Sequence, residues 1–212
     1  MAFAELLASY EEEPLNRQLI ISLLKEYKRP NDKINELVKE GALTAVKKGW
    51  YIPGPATKIK KPEPFLIANH LWGPSYISLE SALSHWRLIP ERVYEISSVT
   101  IKASKSYKTA VGRFSYFHAG LPYYAFGIQS VALTSRQVVL IASPEKALCD
   151  KIIMTAGVFL RSTRQTYQFL IEDMRMEEAD LRNLNLGAIR SWIPAAQKKN
   201  SLNMLIKTLE AL

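Results

Sequence analysis

Cysteine is almost absent from this chain. Cys149 stands alone, so no internal disulfide can form and packing must hold the fold. Histidine is scarce: His70, His85 and His118 lack the paired spacing of a zinc site. No apolar run approaches the roughly 18 residues of a membrane span. The opening Met1-Ala2-Phe3-Ala4-Glu5 has no basic n-region and so no signal-peptide form. There is no phosphate-cradling Gly-rich loop, no nucleophile elbow, no internal repeat and no low-complexity stretch. These absences argue against a disulfide-stapled secreted protein and a membrane span. They point to a cytoplasmic protein that keeps its thiol reduced and needs no cofactor or metal. Cys149, beside Ala147, Leu148 and Ile152, is expected as a small core residue rather than a nucleophile.

Acidic residues are the minority charge: 20 Asp and Glu against 28 Lys and Arg, a net of +8, favour polyanionic partners. Hydrophobic residues make up 48%, enough for a folded core, and 212 residues suit one large domain or two modest ones. Residues 53–64 carry Pro53, Pro55, Pro62 and Pro64 around Lys58-Ile59-Lys60-Lys61, a composition that resists helix and central strand alike. The chain is therefore divided into an N-terminal block (1–55), a Pro/Lys-rich linker (56–64) and a larger C-terminal block (65–212).

In the first block, Phe3, Leu6, Leu7 and Tyr10 mark one amphipathic helix, and Leu15, Leu19, Ile20, Leu23 and Leu24 a second. Pro30 to Glu40 reads as a third, with Ile34, Leu37 and Val38 on one face, Pro30 at its start, Asp32 in its first turn, and Gly41 ending it. Ala42–Val46 and Trp50–Ile52 then flank Lys47-Lys48-Gly49 as a hairpin with a basic tip. Three helices, a Gly and a basic hairpin have the sequence form of a winged helix-turn-helix, with the third helix set to enter a major groove. Its outward polar residues make the candidate DNA contacts. Asn31 and Asn35 suit adenine edges, and Arg29 and Lys33 suit guanine or phosphate. Lys28 lies beside them, Lys47 and Lys48 sit at the wing tip, and Arg17 and Lys25 are backbone contacts from the second helix. Against this stand Asp32, Glu36 and Glu40 on the same helix, and a modest local excess of 11 Lys and Arg over 8 Asp and Glu in residues 1–61. A winged helix that docks a protein instead of DNA is the alternative.

The larger block mixes element types, giving an α+β fold with helices gathered towards its end. Ser78 is set to cap a helix over Leu79–Trp86. Strands are expected at Val93–Lys102, Phe114–His118 and Tyr123–Ile128, with a strand buried on both faces at Val138–Ala142. Ser143-Pro144-Glu145 is a strong helix start. Tyr167, Leu170, Ile171 and Met174 mark another helix, and Leu202, Leu205, Ile206 and Leu209 the last. Lys102, Lys105, Lys108 and Arg113 form a basic stretch that reads first as a guarded strand edge and second as a further nucleic-acid surface.

Several strings carry a resemblance: Pro74-Ser75-Tyr76-Ile77-Ser78-Leu79-Glu80-Ser81-Ala82-Leu83, Ile89-Pro90-Glu91, Ile96-Ser97-Ser98-Val99-Thr100, Gly112-Arg113-Phe114-Ser115-Tyr116 and Ile141-Ala142-Ser143-Pro144-Glu145-Lys146-Ala147-Leu148-Cys149-Asp150. Together with the wing Val46-Lys47-Lys48-Gly49-Trp50-Tyr51, this wording resembles the AbiEi family of antitoxins and transcriptional regulators from type IV toxin–antitoxin systems. The resemblance is dense from 74 to 150 and thin beyond about 160. It implies a repressor that binds inverted repeats in its own operator; such repeats would be engaged by two copies, an expected homodimer on the DNA. It also implies a C-terminal antitoxin domain acting against a nucleotidyltransferase toxin without a stable complex.

A metal-dependent nuclease in the C-terminal block is the enzymatic alternative. It would draw on Glu145, Lys146 and Asp150, but Glu145 and Asp150 lie five residues apart on the expected helix and so do not share a face.

Overall fold

Gly41 ends the third helix by a local hydrogen-bond pattern. It sits at φ +74°, its N–H donates to the Val38 carbonyl, and the Ala42 N–H reaches the Leu37 carbonyl at 2.9 Å. This is a Schellman cap, and the left-handed conformation it needs is cheap only for glycine. The computed structural model describes residues 3–212; Met1 and Ala2 of the expected 1–55 block lie outside them. The N-terminal block runs α1 (Phe3–Ala8), β1 (Leu15–Asn16), α2 (Arg17–Leu23), α3 (Pro30–Lys39), β2 (Leu43–Lys47) and β3 (Trp50–Pro53). Its three strands form an antiparallel sheet in the order β1-β3-β2.

Leu15 was expected to open the second helix. It instead pairs across β1 with Tyr51, and the helix begins only at Arg17, capped by the Asn16 side chain, which accepts from the Leu19 N–H at 2.8 Å. The non-local strand pairing takes the first residues that apolar periodicity would have given to a helix.

After a stretch without helix or strand come α4 (Pro64–Leu71), β4 (Ser75–Ile77), α5 (Leu79–His85), β5 (Glu95–Thr100), β6 (Lys105–Thr109) and β7 (Gly112–His118). Then follow β8 (Ile128–Ala132), β9 (Val138–Ala142), α6 (Pro144–Met154), α7 (Thr163–Gln168), α8 (Glu178–Leu181), α9 (Leu186–Trp192) and α10 (Lys199–Leu209). The fold is mixed α+β, with ten α-helices and two sheets among the described residues. The second sheet has the order β6-β7-β5-β4-β9-β8, with β5–β7 and β4–β9 parallel and its other pairs antiparallel. Among the described residues no helix is long and apolar enough to cross a membrane.

Two expected strands change character. Tyr123–Ala125 is a short 3-10 turn, and pairing starts only at Ile128. In β9, Val138 and Leu140 are 55% and 44% exposed while Val139 and Ile141 are buried, so the strand has one wet face rather than two dry ones. On the β4 side the register gives β9 the single pair Ile77↔Ile141. The Asn69 amide stands in as a strand partner, accepting from the Leu140 N–H at 2.8 Å and donating to its carbonyl at 3.2 Å.

The helix expected after Ser78 forms, but the Ser78 hydroxyl does not cap it. That hydroxyl donates to Asp150 at 2.7 Å. Asp150 is fully buried and also accepts from the Tyr76 hydroxyl at 3.0 Å, the Tyr123 hydroxyl at 2.9 Å and the Lys146 ammonium at 2.8 Å. Lys146 is equally buried, with its Nζ 3.3 Å from the centre of the Tyr123 ring. Burial pushes the Lys146 ammonium below the ordinary lysine value, and the Asp150 carboxylate opposes that shift. Burial and the same carboxylate push the Tyr76 and Tyr123 hydroxyls well up, so both stay protonated donors. Gly127 leaves the room: a Cβ there would lie 2.7 Å from Lys146 Cβ. Cys149, expected in the core, is fully buried with its thiol pushed up by burial.

The two blocks are docked. Val46 and Ile52 of the β2–β3 hairpin belong to the larger core, whereas Leu43 belongs to the small one with Leu7, Leu15, Ile20, Leu24, Ile34 and Leu37. Glu12, at φ 65°, is buried and accepts from Thr134 Oγ1 at 2.8 Å and Gln137 Nε2 at 3.2 Å, with Lys60 Nζ at 3.6 Å. The Glu63 N–H donates to Gln137 Oε1 at 2.7 Å, so the Pro/Lys-rich stretch is tied down at Lys60 and Glu63.

The hydrogen bonds from Thr134 and Gln137, with Lys60 adding to them against the opposing effect of burial, hold the Glu12 carboxyl below the ordinary glutamate value of 4.5. A depressed folded-state value stabilises above 4.5, and that contribution fades as pH falls through the folded value. The urea midpoint of Glu12→Gln should therefore lie below that of the parent at pH 7, and the gap should narrow below pH 4.5; a gap constant with pH would refute the dock as drawn. Asp150→Ala should cost about 3–5 kcal/mol in urea unfolding, because it leaves a buried ammonium unpaired. Replacing both members by apolar residues (Lys146→Met with Asp150→Leu) should remain destabilising, since three hydroxyls are left without their acceptor. A neutral double variant would refute the network.

Candidate nucleic-acid interface

The start of α2 is tied to the hairpin tip: the Arg17 N–H donates to the Gly49 carbonyl at 2.9 Å. The Arg17 guanidinium then crosses to the first turn of α3, donating through Nε at 3.1 Å and Nη2 at 2.7 Å to Asn31 Oδ1. Asn35 lies one turn along the same face of α3. With Lys48 from the hairpin, these residues line an open groove of about 540 Å³ floored by Ile34, Gly49 and Tyr51. The groove is thus built from three separate elements, and Arg17, Asn31, Asn35 and Lys48 are all exposed.

The groove offers hydrogen-bond donors of two kinds. Arg17 and Lys48 are cations suited to phosphate, and the Asn35 amide pairs a donor with an acceptor, the pattern that matches an adenine edge, whereas Asn31 Oδ1 is already taken by the Arg17 guanidinium. The anions on α3 are partly engaged by its cations. Asp32 and Glu36 follow Asn31 and Asn35 by about 100° round the helix, and Asp32 is also only about 60° from Asn35. Asp32 lies 3.9 Å from the Arg29 guanidinium, and Glu36 is 2.6 Å from Lys33.

The other expected contacts divide. Arg29 and Lys28 are exposed at and before the N-terminus of α3; the Arg29–Asp32 pair is loose and solvated and holds the guanidinium weakly. Lys33 is spent on Glu36, which raises its pKa through the hydrogen bond, and its side chain is only 20% exposed. Lys25 lines a different groove with Phe3, Leu6, Ser22, Leu23 and Tyr27. Lys47 turns to the far side of the hairpin, where its ammonium donates to the Leu71 carbonyl and sits among the rings of Trp50, Trp72 and Tyr107. A β-bulge between Ala45 and Lys47 sets this direction. Tyr51 is the groove residue that sequence reasoning missed; the alternation of Trp50, Tyr51 and Ile52 along β3 was its available signal.

Glu145, Lys146 and Asp150 do not converge. Glu145 accepts from Ser143 Oγ at 2.8 Å and the Asn185 N–H at 2.9 Å, while Asp150 and Lys146 face inward and are saturated by each other and by hydroxyls. Among the described residues no group of three or more His, Cys, Asp or Glu is placed to hold a metal.

A solved structure shares this fold: the crystal structure of the RV2827C protein from Mycobacterium tuberculosis matches with a TM-score of 0.65, covering 97% of this chain and 75% of that one, at 13% sequence identity. At that identity the likeness is one of fold alone. No protein-family model and no curated protein matches the chain.

Proposed function

We propose that this chain is a non-catalytic, duplex-DNA-binding regulator whose N-terminal block works as a winged helix-turn-helix, with α3 as the recognition helix and β2–β3 as the wing. The observation that carries the reading is the convergence of Arg17, Asn31, Asn35 and Lys48 on one open groove between α2, α3 and the hairpin tip. The element order, with a short strand ahead of α2 and a hairpin after α3, supports it. In this reading Arg17, oriented by Asn31, and Lys48 hold phosphates, and Asn35 reads a base.

The AbiEi resemblance extends the proposal. The operator would carry inverted repeats bound by two copies, and the C-terminal block would counter a nucleotidyltransferase toxin without a lasting complex. The motif at 143–150 is wording that a buried ion pair demands, so the resemblance there bears on fold more than on activity.

Fluorescence anisotropy with labelled duplex from upstream of this reading frame tests the DNA claim. Arg17→Ala with Lys48→Ala should weaken binding to specific and mixed-sequence duplexes alike and flatten the salt slope by about 2. Asn35→Ala should cost about 1–3 kcal/mol on the specific duplex alone. Unchanged affinity and slope in the double variant would end the reading. Co-expression with a neighbouring nucleotidyltransferase should restore growth that the toxin alone arrests; continued arrest would end the antitoxin claim.

A further inference from the structure

Behind the hairpin, away from the groove just described, three ammonium groups surround one ring. Trp72 is fixed by its indole N–H, which donates to the Ala103 carbonyl at 3.1 Å. Around its ring centre lie Lys105 Nζ at 4.6 Å, Lys102 Nζ at 5.0 Å and Lys47 Nζ at 5.9 Å. Lys105 is also 5.1 Å and Lys47 5.6 Å from the centre of Tyr107. Among the described residues no ion pair engages any of the three lysines, although nine other pairs are formed.

Three like charges gathered without an anion repel one another. Burial first, then the charges of Lys105 and Lys102, push the Lys47 ammonium below the ordinary lysine value. Guarding a free sheet edge accounts for Lys105, which lies on the edge strand β6. It does not account for Lys102, which precedes that strand; Lys47 comes from the other block, and its ammonium also donates to the Leu71 carbonyl at the end of α4. The aromatic faces do not offer a stacking platform for bases, because the ammoniums already lie over them. A phosphate chain is the ligand this chemistry fits. Lys47 and Lys48 are consecutive, so the hairpin tip joins this cluster to the groove, with Lys48 on one side and Lys47 on the other.

We infer that Lys47, Lys102 and Lys105 form a second phosphate-backbone site where the hairpin meets the C-terminal block, which holds the same duplex beyond the hairpin and lengthens the footprint past the helix-and-hairpin contact. This rests on the DNA-binding reading proposed above, and the test separates the two.

The probe is a labelled 40-base-pair mixed-sequence duplex, titrated with the full chain between 50 and 200 mM NaCl, with a single-stranded 40-mer alongside. Lys102→Ala with Lys105→Ala should reduce the salt slope by about 2, near 0.9 for each phosphate no longer neutralised. Lys102→Arg with Lys105→Arg should keep the slope, and matching thermal melts show that the variants fold. An unchanged slope in the alanine pair while the parent binds would overturn the inference, and so would equal or tighter binding of the single strand through the same lysines. If Arg17→Ala with Lys48→Ala leaves the slope intact while the Lys102 and Lys105 pair flattens it, the helix-and-hairpin reading fails and the cationic cluster stands alone as the polyanion site. A parent that shows no salt-dependent binding overturns both.

Discussion

The β2–β3 hairpin is shared between two hydrophobic cores, and the architecture follows from that sharing. Leu43 faces the small helical cluster, while Val46 and Ile52 face α4 through Ile67 and Leu71. A block of some 55 residues is near the lower limit for folding alone. Here its sheet is completed from one side by β1 and supported from the other by the larger domain. Glu12 and Gln137 add a polar clasp at a second point, and the linker lies against both blocks. The Pro-rich stretch that composition marks as a divider therefore separates two blocks in sequence and joins them in space.

Docking sorts the charges. The sequence offers nine residues of the first block as candidates for contacting DNA, in different roles. The structure separates them by their partners. Lys33 is neutralised by Glu36, Lys47 is drawn behind the hairpin, and Lys25 belongs to another surface. Arg17, Asn31, Asn35 and Lys48 converge because α2 begins where the hairpin turns, and because the Arg17 guanidinium bridges to α3.

Local signals were legible and long-range ones were not. The span of α3, its Gly41 cap, the hairpin, the Ser143 cap and the final helix all rest on interactions within a few residues. Each is set by propensity, capping or periodicity. Leu15 was misread because its partner, Tyr51, is 36 positions away. The single wet face of β9 escaped because an apolar run does not tell which of its side chains a sheet covers. In the candidate site the residue types were legible, but their directions depended on a bulge and an ion pair that only the folded chain reveals.

The 143–150 segment shows how one stretch of sequence can hold both kinds of information. Ser143, Pro144 and Glu145 are an N-terminal cap that can be read by inspection. Lys146 and Asp150, one turn apart, stand in the sequence only as members of an acid–lysine cluster, and nothing there shows that both are fully buried. What turns the pair inward is distant: Tyr76 and Ser78 on and beside β4, and Tyr123 in the turn before β8, supply three hydroxyls to one carboxylate. Tyr76 and Ser78 come from the strings that carry the AbiEi resemblance, as do Lys146 and Asp150 themselves. Their place in those strings is thus accounted for by the need to satisfy a buried charge.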